Sequence, residues 1–102
     1  MGGWSIGTDI IEIQRFRRHP RSKYPHFYTR IFDRAEQDYC LRYGDPYPHF
    51  SGIFAAKEAV FKAVNKVIPV RLSQIRIEHN DNGEPTAKLN IPTTVIDFEN
   101  PE

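Results

Sequence analysis

A single cysteine, Cys40, stands in 102 residues, so an internal disulfide framework and a four-cysteine zinc site are both excluded. No apolar run approaches the roughly 20 residues that a membrane-spanning helix needs. Internal repeats and low-complexity tracts are absent. The amino end lacks the basic, apolar and small-residue succession of a signal peptide. These absences point to a reducing, cytoplasmic setting, with the mitochondrial matrix as the alternative. What is present fits one folded unit. The length predicts a single domain over residues 1–102. Hydrophobic residues at 39% and charged residues at 26% sit near the globular average, which argues against disorder. The core is expected to be modest, since a chain this size buries about 60–70% of its unfolded surface.

Net charge is +1, but the sum hides a gradient. Residues 14–34 hold Arg15, Arg17, Arg18, Arg21, Lys23, Arg30 and Arg34 against one acid, Asp33. Residues 78–102 hold six acids against Lys88. A basic stretch inside a near-neutral chain points to an anionic partner: nucleic acid, a phosphorylated cofactor or an acidic protein face. The plainer reading is a solvated, arginine-rich surface.

Along the chain, Trp4, Ile6, Thr8 and Ile10 alternate with Ser5, Gly7, Asp9 and Ile11, which predicts a strand over 4–11. A short helix from Glu12 to about His19 follows, stopped by Pro20. Phe27, Tyr28, Ile31 and Phe32 have the spacing of a helical turn. Asp33 and Glu36 form a D-x-x-E start with Asp33 as N-cap, opening a helix to about Tyr43 that ends at Gly44. The longest helix is expected over 51–67, with Ser51 or Gly52 as N-cap. Residues 72–79 read as a strand with Ile75 and Ile77 on one face. Asn80-Asp81-Asn82-Gly83 is a hairpin turn, and a return strand at 86–91 completes it.

On a wheel of the longest helix, Ile53, Phe54, Val60, Phe61, Val64, Val67 and Ile68 form one wide apolar stripe, and Lys57 falls inside it. Ala55, Ala56, Ala59 and Ala63 cover most of the other side. A helix apolar or small nearly all round is buried on more than one side, which predicts a second packing partner, such as another subunit. Glu58 and Lys62 lie together between the two faces. They read either as an i, i+4 ion pair or as partly desolvated charges with a task. Lys57 has its own plain reading, a packed stem with its amine snorkelling outward. Asp9 is unfavourable mid-strand. It reads as a cap for the following helix or as a metal- or phosphate-site carboxylate. Brought beside a helical acid, it would make an oxygen-rich site suited to magnesium.

These residues also carry a pattern. Gly7-Thr8-Asp9-Ile10-Ile11-Glu12-Ile13 with Arg15-Phe16, then Phe54-Ala55-Ala56-Lys57-Glu58-Ala59 with Lys62-Ala63, resemble the small, single-repeat 4′-phosphopantetheinyl transferases of the holo-[acyl-carrier-protein] synthase family. Arg30-Ile31-Phe32, Glu36 and the stretch from Ile75 to Pro85 extend the resemblance, which covers about 5–85. The implied fold is α+β, with helices packed on a small, mainly antiparallel sheet and the last strands lacking. The implied reaction moves the phosphopantetheine arm of coenzyme A onto a serine of an acyl carrier protein and releases adenosine 3′,5′-bisphosphate. Carried over by position, Asp9 and Glu58 would hold Mg2+ against the coenzyme A pyrophosphate. Lys62 would contact the phosphates and stabilise or protonate the leaving group, and Lys57 would be a further phosphate-site residue. Arg15, Arg18, Arg21 and Lys23 would meet the acidic helix of the carrier protein. The resemblance also implies a homotrimer with sites at subunit junctions.

Departures from the pattern are visible. No Ser-His pair occurs, although family members usually continue through one into a final strand, so the domain is expected to be short at its carboxyl end. Ile53 stands where an arginine is common. His49 and His79 read as surface or satisfied-core histidines. Two other classes of function compete. One is a non-catalytic module that binds carrier protein or coenzyme A. The other is a small nucleic-acid binder using the arginines with Tyr24, Phe27 and Tyr28, which leaves Asp9 and the Glu58–Lys62 arrangement unexplained.

Overall fold

The computed structural model describes residues 6–91, with side chains from Ile10 onward. Among the described residues, four helices precede one hairpin: α1 (Ile6–Arg18), α2 (Pro25–Ile31), α3 (Arg34–Leu41), α4 (Tyr47–Val64), β1 (Ile75–His79) and β2 (Pro85–Leu89). A single 3-10 turn, Leu72–Gln74, leads into β1. The arrangement is α+β, as expected. No helix among the described residues is long and apolar enough to cross a membrane.

Phe16 of α1 is the hub of the core. Its ring lies 5.9 Å from Tyr28, 5.9 Å from Phe32 and 5.8 Å from Phe54, centroid to centroid. Such aromatic pairs contribute about 0.5–1.5 kcal/mol each beyond their buried area. The Tyr28 hydroxyl donates to the His19 carbonyl at 2.7 Å and so satisfies backbone just past the end of α1. Ile75 and Ile77 of β1 close the core against α4, with Cys40 buried beside them in the same cluster. Burial pushes the Cys40 thiol up to about 12, so it stays protonated and packs as a small apolar group.

Local signals set several element boundaries. The predicted capping box is present: Asp33 Oδ1 accepts from the Glu36 N–H at 2.9 Å, and Glu36 Oε1 accepts from the Asp33 N–H at 2.9 Å. The hairpin turn forms where expected. Asn80 Oδ1 accepts from the Asn82 and Glu84 amides, and Gly83 takes a φ of 84°, which a side chain would oppose. That turn fixes the register, Ile75 opposite Leu89 and His79 opposite Pro85.

Other boundaries differ from expectation. Residues 6–11 are the start of α1 and not a strand; residues 4–5 lie outside the described residues. The described sheet is the β1–β2 pair, so these residues have no strand partner, and a helix satisfies their backbone groups internally. Asp9 is thus a helix residue. The longest helix starts at Tyr47 instead of Ser51 or Gly52, because Pro48 in a first turn sacrifices no hydrogen bond. It ends at Val64, which leaves Val67 71% exposed. The chain then turns, with the Asn65 side chain accepting from the Val70 amide. Ala55, Ala59 and Ala63 face outward, uncovered within the protomer. The helix α3 stops at Leu41 instead of Tyr43, residues 72–74 form the 3-10 turn instead of strand, and the return strand is 85–89.

Candidate active site

Two contacts give the relation of α1 to α4. Arg17, at the end of α1, holds Asp45, just before α4, with both guanidinium nitrogens at 3.1 and 2.6 Å. Phe16 packs on Phe50 and Phe54. The end of α1 therefore lies beside the first half of α4. Glu12 lies one turn before Phe16 on α1, and Glu58 one turn after Phe54 on α4. Asp9 lies about two turns before Phe16, and Lys62 about two turns after Phe54. The side chain of Asp9 lies outside the described residues. Glu58 and Lys62 are both exposed, and no ion pair joins them among the described residues.

Glu12 is a residue that sequence reasoning passed over. Its Oε1 is buried and has no hydrogen-bond partner, while Oε2 lies 3.5 Å from Arg15. Asp9 and Glu12 are three residues apart, a spacing that shares one helix face but separates strand faces. The signal was readable only once residues 6–18 were taken as helix. An orphaned carboxylate oxygen fits a magnesium ion, which takes oxygen donors and few protein ligands. Among the described residues, no three His, Cys, Asp or Glu side chains converge on one point.

Lys57 occupies a different place from the phosphate site expected of it. Its side chain and that of Glu36 are both 0% exposed and 2.8 Å apart. The ammonium also donates to the carbonyls of Ile31 at 2.6 Å and Leu72 at 2.9 Å. Three hydrogens meet three acceptors, so none is left for a phosphate. Burial pushes the Lys57 ammonium below its usual range, and Glu36 opposes that shift. The snorkelling reading fails as well, since the amine points inward.

The basic residues divide by partner. Arg18 and Lys23 are exposed, and Arg15 is exposed beside Glu12. Arg21 is half-buried and donates through Nε to Gln37 at 2.6 Å. Arg17 is committed to Asp45, which lies below the usual carboxylate range because of that hydrogen bond. Of the aromatics that nucleic-acid binding would use, Tyr28 is fully buried and Phe27 packs on Phe16, while Tyr24 is exposed.

His49 and His79 belong to a ring cluster. His79 stacks on Tyr39 at 4.2 Å, His49 stacks on Tyr43 at 3.6 Å, and both histidines line a cavity of about 210 Å³ with Ile53, Ile77 and Pro85. Burial, then the nearby His49 and Arg42, hold His79 below its ordinary value of 6.5. The unfolded chain then binds a proton that the folded chain refuses, so this contribution is intact above about pH 6.5 and is lost as pH falls below it. Thermal melts from pH 7.5 to 5 are expected to show falling stability, with a shallower slope in His79→Gln. An equal slope in both would refute this.

A family model described as the 4′-phosphopantetheinyl transferase superfamily matches residues 5–100. The holo-[acyl-carrier-protein] synthase of Chlamydia caviae is 51% identical over 59 residues, 58% of this chain and 48% of that protein. The Chlamydia muridarum protein of the same name is 39% identical over 93 residues, 91% of this chain and 74% of that one. That of Caldanaerobacter subterraneus is 38% identical over 85 residues, 82% of this chain and 66% of that one. The matched part thus spans from about half to three quarters of these relatives' lengths. No solved structure matches the chain.

Proposed function

Since the chain belongs to the 4′-phosphopantetheinyl transferase superfamily, we propose that it moves the phosphopantetheine arm of coenzyme A onto a serine of an acyl carrier protein, with magnesium as cofactor. The observation that carries this reading is the packing of Phe16 of α1 on Phe54 of α4, with the buried, unpartnered Glu12 oxygen one turn from the first and the exposed Glu58 one turn from the second. In this reading the two helices stay close beyond that contact, so that Asp9 and Glu12 approach the end of α4 that presents Glu58 and Lys62.

In this reading Asp9 and Glu58 hold the magnesium ion, with Glu12 beside them. Held there, the ion would supply positive charge against the pyrophosphate. Lys62, one turn beyond Glu58, binds the phosphates and takes up the charge that develops on the departing bisphosphate. The serine hydroxyl, held in line, forms its bond to the β-phosphorus as the pyrophosphate P–O bond to the departing bisphosphate breaks, and its proton passes to water, the transfer being mostly positioning and charge neutralisation. Arg15, Arg18 and Lys23, with Arg21 behind them, form the basic face toward the acidic carrier protein. Their effect is on encounter rate and partner choice, so salt weakens it. The outward Ala55, Ala59 and Ala63 adjoin Glu58 and Lys62, which suits a second copy packing there in a trimer with sites at the junctions. Residues 1–102 then act as one domain, and the cytoplasm is the compartment that fits.

The test is a transfer assay with coenzyme A, magnesium chloride and an apo-carrier protein, read by intact mass. One added phosphopantetheine arm is expected, abolished by chelation and slowed by raised salt. Binding of coenzyme A or carrier without product selects the non-catalytic module. Absence of both binding and product overturns the reading.

A further inference from the structure

We propose that the buried Glu36–Lys57 pair is a positioning device: it sets the rotation of α4 about its own axis and thereby where Glu58 and Lys62 point. This inference rests on the transferase reading.

The pair is a junction of four elements. Lys57 of α4 donates to the carbonyl of Ile31 in α2, to Glu36 of α3 and to the carbonyl of Leu72 before β1. Glu36 in turn accepts from the Asp33 amide through Oε1 and from the Ile77 amide of β1 through Oε2, the latter at 2.7 Å. Every acceptor around the ammonium is fixed by secondary structure or its caps. Both side chains are sealed from solvent, so no water can take over a bond that slips.

The consequence for the site is geometric. Glu58 follows Lys57 directly and is turned about 100° from it, from the interior to the solvent side. Lys62 lies one turn further on the same side. A rotation of α4 by about 20° would carry a group at a radius of 5–6 Å through about 2 Å. Misplacement by about 1 Å is enough to cost on the order of a hundredfold in rate. Apolar packing resists such a rotation weakly, because hydrophobic contact has no direction. Three hydrogen bonds converging on one nitrogen do have direction. A buried ion pair is commonly no more stabilising than an apolar pair of the same size, so stability alone gives no reason for this one.

The test replaces both charges at once in Lys57→Met/Glu36→Gln and compares it with the wild type. The variant is expected to melt cooperatively and to keep the carrier-protein KM within about twofold. Its kcat is expected to fall about 10- to 100-fold, and calorimetric affinity for coenzyme A with magnesium to weaken severalfold. A cooperatively folded variant with wild-type kcat and affinity overturns the inference. Should the double variant fail to fold, Glu36→Asp serves. It keeps the charge but shortens its reach by one methylene, and an unchanged kcat there overturns the inference equally. A wild-type chain that transfers nothing removes the reaction and this inference together, whereas wild-type turnover with unaltered variants removes the inference alone.

Discussion

Lys57→Met alone is expected to lower folding stability by about 3–5 kcal/mol, because it strips a buried carboxylate of its counter-charge. The side chain it leaves, that of Glu36, is 0% exposed and keeps only the Asp33 and Ile77 amides as partners. The carbonyls of Ile31 and Leu72 lose a donor in the same step. Stability on the order of 5–15 kcal/mol is usual at this length, so the loss is a large share of it. At roughly 4–8 °C per kcal/mol, the melting temperature should fall by more than 10 °C. Adding Glu36→Gln to Lys57→Met should restore much of the loss, since removal of both partners is far milder than removal of one. Denaturant and thermal melts of the two variants check this. A loss below 1 kcal/mol in Lys57→Met would mean that the amine reaches solvent, as a snorkelling lysine would.

The same lysine marks how far the sequence could be read. Features written in adjacent residues were legible: the Asp33–Glu36 box, the turn at Asn80–Gly83 and the alternating burial of Ile75 and Ile77. Each depends on backbone groups a few residues away. Lys57 showed as a charge inside an apolar stripe, which flagged it as unusual, but its partner is 21 positions distant and appears only when α3 packs on α4. The start of α1 failed for a related reason. Alternation over eight residues suits a strand only if another strand lies alongside, and local pattern carries no record of that. The error also hid Glu12, whose kinship with Asp9 depends on the helical period. Family resemblance supplied roles for Asp9, Glu58 and Lys62, and it supplied one for Lys57 that the packing does not accommodate.

Glu58→Gln is expected to reduce transfer by about 10²- to 10³-fold, the usual effect of removing one preorganised electrostatic contact. The change is isosteric at an exposed position with no ion pair to Lys62, so stability should stay within about 0.5 kcal/mol. Loss of activity in a fully folded protein would therefore report chemistry and not packing. Lys62→Met separates the two charges by role. If Glu58 holds the cation, higher magnesium should recover part of the Glu58→Gln rate, because weakened binding answers to mass action. The same addition should leave Lys62→Met unimproved, since that variant lacks the charge that meets the leaving group. Initial rates across a magnesium titration, measured for the wild type and both variants, give the comparison. Undiminished product from Glu58→Gln would remove the carboxylate from the site, and with it the reason for placing the reaction at this end of α4.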